Sequence, residues 1–328
     1  MNCTRRGFLA AAGFAGMAAL CAFGPSAVGA THAEKLRAVL DSGDRDYVFV
    51  TMHRGDWRSY PENSRDAIKG SIAKGADIVE LDVCRTKDGR FVLLHDRKLD
   101  RVTNGKGKVA DRTLAEIKKL RLKDGQGGKD AKVTDYEVLT LEEAFEIARG
   151  KILINIDKFR FWPTEILECV KRCGMEKYVI LKGEMSPEQV KKTFGDSWKD
   201  VMDGTLRFMP IIWINKDGAM DKFNAWQAQA RKPHAYELCF KAEKPIDVLE
   251  ALAKDKATGP RIWINTLWDS LCAGHTDERG HGGDAEGSWG WCLRKGATMI
   301  QTDRPVDCLK YLKSAGRRNL DAAYEKIK

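Results

Sequence analysis

Two carboxylates and a histidine stand where the sequence otherwise predicts buried strands. Glu80 and Asp82 lie two residues apart in the apolar segment DIVELDV, and His95 follows the next apolar run in RFVLLHD. An unpaired carboxylate inside a protein core is energetically costly, so these residues need a chemical reason to be there. Side chains two residues apart on a strand point to the same side, so both carboxylates are expected to face one site.

A third carboxylate and a second histidine end other predicted strands. His53 follows the first apolar run in YVFVTMHRG, and Asp157 ends KILINID. Carboxylates that converge on one site repel each other, and a hard divalent cation with oxygen ligands would relieve that repulsion. Two histidines can act as proton acceptor and proton donor, because the pKa of imidazole lies near neutrality. The set therefore predicts metal-assisted phosphoryl chemistry.

Strands and helices alternate along most of the chain. Segments with strand character are separated by amphipathic segments such as NSRDAIKGSIAKGA, in which apolar residues recur at helical spacing. Nine strands are predicted, at 47–55, 77–83, 90–96, 151–157, 177–183, 205–215, 235–240, 261–268 and 298–305. Strands separated by helices pair in parallel through right-handed crossovers. We therefore predict an α/β fold, a single-domain (β/α)8 TIM-type barrel over residues 46–328.

A barrel of this type has eight strands, so one of the nine predicted strands is surplus. The short segment 235–240 is one candidate, and a wrongly assigned segment early in the chain is the other. A doubly wound open sheet is the alternative fold, but the turn HRGDWRSYPENS lacks the glycine pattern that binds dinucleotide phosphates. In a barrel the carboxyl ends of the strands meet on one face, where active sites form.

Several stretches of this sequence resemble the glycerophosphodiester phosphodiesterase family. They are HRG (53–55), PENS (61–64), GADIVELDVCRTKDGRFVLLHD (75–96), LDRVTNGKGKVAD (99–111), VLTLEEAF (138–145) and IQTDRP (300–305). The resemblance implies a TIM-type barrel that hydrolyses a small phosphodiester, usually to glycerol phosphate and an alcohol. The cofactor that it implies is one divalent metal ion, Ca²⁺ or Mg²⁺.

The same resemblance implies roles for individual residues. The matched positions are the acid/base pair His53 and His95, the metal ligands Glu80 and Asp82, the phosphate-contacting Arg54, and Glu62 and Asn63 in a turn near metal and substrate. These residues come from the ends of different predicted strands, as expected for a site on the carboxyl face of a barrel.

The fourth strand departs from the family pattern, which has a glutamate ligand and a lysine two residues later. This chain has Asp157 followed at once by Lys158, whose side chain should point to the opposite face unless a bulge re-aims it. In a second register Asn155 takes the glutamate position and Asp157 that of the lysine. Asn155 and Asp157 share a face, so we predict Asp157 as the third metal ligand. Lys158, or Lys182 on the next strand, is the predicted phosphate contact.

Other polar residues near the strand ends have structural interpretations. Asp303 in IQTDRP is predicted to be a turn residue, and Asp96 either orients a neighbour or caps a turn. The loop 269–283 is predicted to lie over the active face as a substrate loop. Its residues His275 and His281 are candidates for a second metal site, but a solvated loop is the simpler expectation.

The first thirty residues have the pattern of a twin-arginine signal peptide. Arg5 and Arg6 precede an Ala/Gly-rich apolar run and a small-residue stretch that ends at Ala30. We predict a signal peptide at 1–30, a linker or helix at 31–45, and a periplasmic or secreted protein without stable membrane insertion after cleavage. The formal net charge is +9, but no basic run alternates with aromatic residues, so nucleic-acid binding is not expected. The oligomeric state is left open.

Two alternative functions share this fold and these residues. Sphingomyelinase D-like enzymes resemble the family at the same histidine and carboxylate positions but cyclise a lipid phosphodiester. No apolar loop suited to membrane docking is evident in the sequence, which disfavours that activity. The second alternative is a barrel that binds a phosphorylated glycan or lipid head group without turnover. The pair His53 and His95 disfavours it, because a binding protein needs no acid/base pair.

Overall fold

The computed structural model describes residues 29–202, 204, 206–254 and 259–328. The predicted signal peptide therefore lies outside the described residues, apart from Gly29 and Ala30. Within the described part of the chain, every helix is too short or too polar to cross a membrane.

Eight parallel strands form a closed ring, as the sequence predicts. The strands of the described chain are β1 (Phe49–Met52), β2 (Ile78–Arg85), β3 (Phe91–Leu93), β4 (Arg121–Lys123), β5 (Val133–Glu137), β6 (Leu153–Asp157), β7 (Val179–Gly183), β8 (Arg207–Trp213), β9 (Ala235–Cys239), β10 (Arg261–Asn265) and β11 (Met299–Thr302). The ring consists of β1, β2 and β6 to β11, each paired in parallel with the next, and β1 closes it by pairing with both β2 and β11. The alternative of an open doubly wound sheet is wrong.

Helices connect the strands and surround the ring. Those in the described residues are α1 (His32–Asp41), α2 (Arg65–Lys74), α3 (Leu114–Ile117), α4 (Leu141–Ala148), α5 (Pro163–Arg172), α6 (Pro187–Phe194), α7 (Trp198–Met202), α8 (Ala219–Gln227), α9 (Asp247–Lys254), α10 (Asp269–Cys272), α11 (Asp277–His281), α12 (Trp291–Arg294), α13 (Pro305–Ser314) and α14 (Leu320–Glu325). Their starts follow local sequence signals: Thr140 and Glu143 form a capping box at α4, and α5, α6 and α13 begin at prolines.

The surplus strand is the predicted segment 90–96, and the short segment 235–240 supplies a strand of the ring. β3 pairs antiparallel with the end of β2, with Val83 opposite Leu93, and lies outside the ring. β9 pairs with β8 and β10, and all its residues are buried. A buried hairpin strand and a short barrel strand look alike in sequence, because both are brief apolar runs.

Between β3 and α4 the chain leaves the ring and folds over its carboxyl face. This excursion, residues 94–140, contains α3 and the β4–β5 hairpin. It has a small core of its own, formed by Cys84, Val92, Leu94, Leu99, Val102, Val109, Ile117, Leu122 and Val138. That core fixes the excursion against β2 and β3, next to the strand ends where the polar residues gather.

The opposite face of the barrel is closed by α1 and α14. Apolar side chains of both helices, such as Leu36, Leu40 and Ala323, pack against residues of the barrel strands. These strand residues include Phe49, Trp263 and Met299. Arg261 is buried there, and its guanidinium donates to the carbonyl oxygens of Val39 and Leu40. Lys35 on α1 pairs with Asp321 on α14 at 2.8 Å. The predicted linker or helix at 31–45 thus contains α1, and the carboxyl face is left as the place for a site.

Candidate active site

Three carboxylates meet inside the ring at the carboxyl ends of β2 and β6. Glu80 and Asp82 are buried, and one oxygen of each lies within 4.8 Å of the others and of an oxygen of Asp157. The register of the two strands sets Glu80 beside Asn155 and Asp82 beside Asp157. The structure therefore brings together the three residues that the sequence analysis expected to converge.

The negative charge of this cluster is unevenly compensated. Burial and the neighbouring Asp82 carboxylate raise the pKa of Glu80. Burial would also raise the pKa of Asp82, but Lys158 and Arg54 lower it. The side-chain oxygen of Asn155 is buried and has no hydrogen-bond partner in the described part of the chain. A divalent cation fits this set, because it would compensate the carboxylates and take oxygen ligands from them.

Lys158 reaches the cluster because its backbone is left-handed. It directly follows the last residue of β6 and has φ 60°, which is uncommon for a residue other than glycine. Its Nζ lies 3.1 Å from Oδ1 of Asp82 and also donates to the carbonyl oxygen of His95. The side chain thus returns to the barrel interior through a turn residue, not through the bulge that the sequence analysis considered.

Lys182 lies in the same interior, paired with an acid that the sequence analysis did not identify. Its Nζ is 2.7 Å from Oε2 of Glu237 on β9, and both side chains are only 5% exposed. Burial lowers the pKa of Lys182, but Glu237 and Asp157 together raise it above its ordinary value. Asn265 donates a hydrogen bond of 2.8 Å to the other Glu237 oxygen. Lys182 is therefore held as a cation on β7, two strands along the ring from β2.

Breaking this pair should destabilise the barrel more than breaking a surface pair. We expect Lys182→Met to lower the free energy of unfolding by about 3–5 kcal/mol, because it leaves Glu237 buried without a counter-charge. Lys171, whose exposed side chain pairs with Asp200 at 2.6 Å, provides the control, and Lys171→Met should cost less than about 1 kcal/mol. Urea denaturation measures both. Adding Glu237→Gln to Lys182→Met should restore part of the lost stability. Equal stability of Lys182→Met and Lys171→Met would contradict the expectation.

His53 is buried at the end of β1 and is held by Asp303. Its Nδ1 lies 3.0 Å from Oδ1 of Asp303, which also accepts a hydrogen bond of 2.7 Å from the indole of Trp57. On the other ring nitrogen, Nε of Arg54 lies 3.1 Å from Nε2. Burial lowers the pKa of His53, but the hydrogen bond that it donates to Asp303 and the charge of Glu80 outweigh this effect and raise the pKa. Asp303 is thus bound to His53, and the prediction of a turn residue missed this contact.

His95 is held in the same way by Asp96, on the loop after β3. Its Nδ1 lies 2.6 Å from Oδ1 of Asp96. Arg101 binds both Asp96 oxygens, and its hydrogen bonds hold the Asp96 pKa well below the ordinary value. The sequence predicts His95 at the end of a barrel strand, but β3 is a hairpin strand outside the ring, and the loop that follows it brings His95 to the site. Lys158 links it there, since it contacts both the His95 carbonyl and Asp82.

Two left-handed residues in the HRG and PEN turns hold the carboxylates from the other side. Arg54 has φ 55°, and its backbone N–H donates to Oε2 of Glu80 at 2.9 Å. Its guanidinium donates to Glu62 at 2.9 Å. Asn63 has φ 59° and makes two hydrogen bonds of 3.0 Å with Asp82, one from its side-chain amide and one to its side-chain oxygen. The predicted turn residues thus contact the predicted ligands.

The loop at 269–283 does not form a second metal site. His275 lies 3.0 Å from Glu243 and stacks on Trp291 with ring centroids 3.8 Å apart. His281 lies 2.8 Å from Asp307 on α13. Over the ranges that the structure describes, the group at Glu80 is the one cluster of histidines, cysteines and acids with metal-binding geometry.

The same loop instead positions Asp303 through a buried carboxylate. Asp277 accepts a hydrogen bond of 2.7 Å from the backbone N–H of Asp303. Its other oxygen accepts hydrogen bonds from Thr266, Trp289 and Thr302. Asp277 could not be predicted from the sequence, because nothing in its local pattern distinguishes it from a solvated loop acid.

A cavity of about 410 Å³ opens beside these groups, and we call it the active-site cavity. Its walls include Arg97, Asp157, Lys158, Phe161 and Lys182. A volume of this order suits a small molecule. The cavity therefore lies against one of the three carboxylates and both candidate phosphate-binding lysines.

Two family matches cover most of the barrel. Residues 53–194 match the glycerophosphoryl diester phosphodiesterase family, and residues 208–312 match a family described as a domain of unknown function. The first match contains β2, β6 and β7, and the second contains most of β8 and all of β9 to β11. The two matched segments thus supply neighbouring strands of one ring.

Curated relatives are similar to part of this chain. A glycerophosphodiester phosphodiesterase of Caldanaerobacter subterraneus is 39% identical over 154 residues, which are 44% of this chain and 61% of that protein. Glycerophosphodiester phosphodiesterase 1 of Mus musculus is 37% identical over 114 residues, 34% of each chain. In both cases the matched part is less than two thirds of the relative.

Solved structures resemble the whole barrel. A glycerophosphodiester phosphodiesterase of Thermotoga maritima superposes with a TM-score of 0.58 at 25% identity, over 81% of this chain and 98% of that one. A glycerophosphoryl diester phosphodiesterase of Parabacteroides distasonis gives a TM-score of 0.66 at 23% identity, over 86% and 92%. A phosphodiesterase of Oleispira antarctica, solved with its product sn-glycerol-3-phosphate, gives 0.56 at 16% identity, over 81% and 96%. These likenesses show a shared TIM-barrel fold.

Proposed function

The chain belongs to the glycerophosphoryl diester phosphodiesterase family through residues 53–194, and we propose that it hydrolyses a glycerophosphodiester to glycerol 3-phosphate and an alcohol. One observation carries the proposal: the carboxylate cluster lies on the same face as two histidines, each held through Nδ1 by its own carboxylate. A barrel that only bound a phosphorylated ligand would need neither histidine–carboxylate pair.

The proposed cofactor is one divalent cation, Ca²⁺ or Mg²⁺, held by Glu80, Asp82 and Asp157. Its support is the convergence of their oxygens and the buried, unpartnered oxygen of Asn155 on the neighbouring strand. When bound, such a cation polarises phosphoryl oxygens and offsets their negative charge. Asn63 orients Asp82 through both atoms of its side-chain amide, so that this ligand is fixed before anything binds.

Arg54 and Lys158 are the proposed phosphate contacts. Nε of Arg54 lies 3.5 Å, and Nζ of Lys158 3.1 Å, from an oxygen of Asp82. Both cations are therefore at the cluster already and need only small side-chain movements to meet an anion there. Lys182 remains paired with Glu237, so its proposed contribution to substrate binding is the positive charge that it adds beside Asp157.

The two histidines are the proposed proton carriers. Because Nδ1 of each ring faces a carboxylate, Nδ1 holds the hydrogen and Nε2 is the nitrogen that exchanges a proton. On His53 this nitrogen accepts a hydrogen bond from Nε of Arg54, which must turn from it to the phosphate before the proton moves. One Nε2 takes the proton from the attacking group, and the other gives a proton to the leaving alcohol oxygen. The attacking group is either water or the neighbouring glycerol hydroxyl, which would form a cyclic phosphate first. Asp303 raises the pKa of His53 and so favours the protonated imidazole of that residue.

Release of glycerol 3-phosphate tests the proposal directly. The protein without residues 1–30 is incubated with a panel of glycerophosphodiesters, with and without EDTA and with added Ca²⁺ or Mg²⁺. We expect release that EDTA abolishes and the added cation restores. No release from any member of the panel by the folded, metal-loaded protein would contradict the substrate assignment. A cyclic phosphate as sole product from a lipid substrate would favour the sphingomyelinase D-like alternative.

The proposed location is periplasmic or secreted, and its support is the twin-arginine pattern around Arg5 and Arg6. Mature protein found only in the cytoplasmic fraction of the producing cells would contradict that location.

A further inference from the structure

A second cavity, of about 550 Å³, lies next to the active-site cavity. It lies between the excursion and the short 3₁₀ turn that follows β6. We call it the basic side pocket and define it by Arg85, Arg97, Lys98, Lys108, Phe161 and Trp162. Arg97 and Phe161 line both cavities, so the two spaces share a wall.

The basic side pocket carries four cations and no acid among its lining residues. Within the described chain, none of these four cations forms an ion pair, in contrast to Arg54 and Arg101, which both pair with Glu62. Nε of Arg85 is in addition buried without a hydrogen-bond partner in the described residues. A pocket on the outer surface gives the comparison: its Arg90 and Arg172 are both neutralised by Glu142, at 3.1 and 3.2 Å. The positive charge of the basic side pocket is thus not neutralised by an ion pair within the described residues.

The shared wall is an aromatic ring covered by a cation. The Arg97 guanidinium carbon lies 4.2 Å from the centroid of the Phe161 ring, which is 39% exposed. Trp162 adds a second aromatic side chain to the pocket. Aromatic faces bind the carbon framework of a ligand, and cations such as Arg85 and Lys108 bind its anionic groups. The combination suits a ligand that has both.

We propose that the basic side pocket binds a second phosphate group, carried on the alcohol half of the substrate. This proposal rests on the proposed function and names its substrate class: a glycerophosphodiester whose alcohol bears a further phosphate. With the scissile phosphodiester at Lys158 in the active-site cavity, the alcohol half extends past Phe161. Its phosphate then meets Lys98 and Lys108, and its carbon framework lies against the aromatic wall.

A matched pair of substrates tests this proposal. Glycerophosphoinositol and glycerophosphoinositol phosphate differ only in the additional phosphate. We expect the wild type to prefer the phosphorylated substrate by roughly tenfold in kcat/KM, since two or three solvent-exposed charge contacts each contribute a factor of about two to five. The preference should disappear as ionic strength rises from about 0.01 to about 1 M, where the screening length falls from about 30 to about 3 Å.

The double variant Lys98→Gln/Lys108→Gln should lose that preference. Both lysines are exposed and their backbones pair with each other, so glutamine is expected to leave the fold intact. We expect KM for the phosphorylated substrate to rise roughly tenfold, with kcat, and both constants for the unphosphorylated substrate, unchanged. Lys119→Gln/Lys129→Gln, which removes the same charge from exposed positions outside the pocket, should leave all values unchanged.

The possible failures are distinguishable. Equal selectivity of the wild type and the double variant, with turnover of both substrates, would contradict phosphate binding in the basic side pocket. The proposed function would not be affected by that outcome. An equal loss in the control variant would attribute the preference to the overall charge of the protein and also contradict phosphate binding in the pocket. Turnover of neither substrate by the wild type would remove the proposed function and, with it, this proposal.

Discussion

Replacing Glu80 with glutamine is expected to reduce metal-dependent kcat by about a thousandfold or more while the barrel stays folded. The substitution removes one of three converging charges but keeps an oxygen that can accept the hydrogen bond from the Arg54 backbone. Because burial and Asp82 already raise the pKa of Glu80, a neutral side chain relieves repulsion in the protein without metal. Its thermal unfolding midpoint without metal should therefore equal or exceed that of the wild type.

The measurement combines turnover with direct titration of Ca²⁺ or Mg²⁺. Glu188→Gln, on the exposed side of α6, is the matched control and should leave kcat and cation affinity unchanged. Full turnover and unchanged cation affinity in Glu80→Gln would remove Glu80 from the proposed metal ligands.

Asp303→Asn should lower kcat by about a hundredfold to ten-thousandfold with little change in KM. Asp303 touches no part of the proposed substrate position; it holds Nδ1 of His53 at 3.0 Å and is a positioning residue. An asparagine can present its amide hydrogens to that nitrogen and stabilise the wrong ring tautomer. Because Asp303 raises the pKa of His53, the pH limb that belongs to this histidine should move to lower pH in the variant.

A histidine–carboxylate pair on the surface provides the control for this variant. Asp307 lies 2.8 Å from His281, with side chains 40% and 49% exposed, and Asp307→Asn should change kcat by less than about twofold. If Asp303→Asn retained both the activity and the pH profile of the wild type, Asp303 would be only the turn residue that the sequence suggests.

The fold could be predicted from the sequence because the pattern of each strand agrees with the barrel. Most apolar runs end in polar residues, and in a barrel the carboxyl ends of the strands lie on one face. The position of the site could therefore be predicted without knowledge of any contact. Which of the predicted strands form the ring could not be derived from the sequence pattern. Phe91–Leu93 and Ala235–Cys239 are both short and buried, and only the register of their partners separates a hairpin strand from a strand of the ring.

The site could be predicted only in part, for a related reason. Glu80 and Asp82 were found because their spacing on one strand dictates a shared face. Glu237 and Asp303 could not be predicted as partners of Lys182 and His53, because the members of each pair are far apart in the sequence and leave no local pattern. The basic side pocket could not be predicted from the sequence for the same reason, since it forms between the excursion and the segment after β6.

The packing of α1 against α14 across the opposite face of the barrel has a consequence for the order of folding. β1 pairs with β11, and Lys35 on α1 pairs with Asp321, so neither the ring nor the end closed by α1 and α14 is complete without residues 299–328. Contacts between such distant residues form late, because closing a long loop costs entropy. Protease-resistant nascent chains that stop before β11 would contradict this order. A ring that closes by pairing strands far apart in the sequence forms only as a whole, which suits export of the folded protein, the route proposed from Arg5 and Arg6.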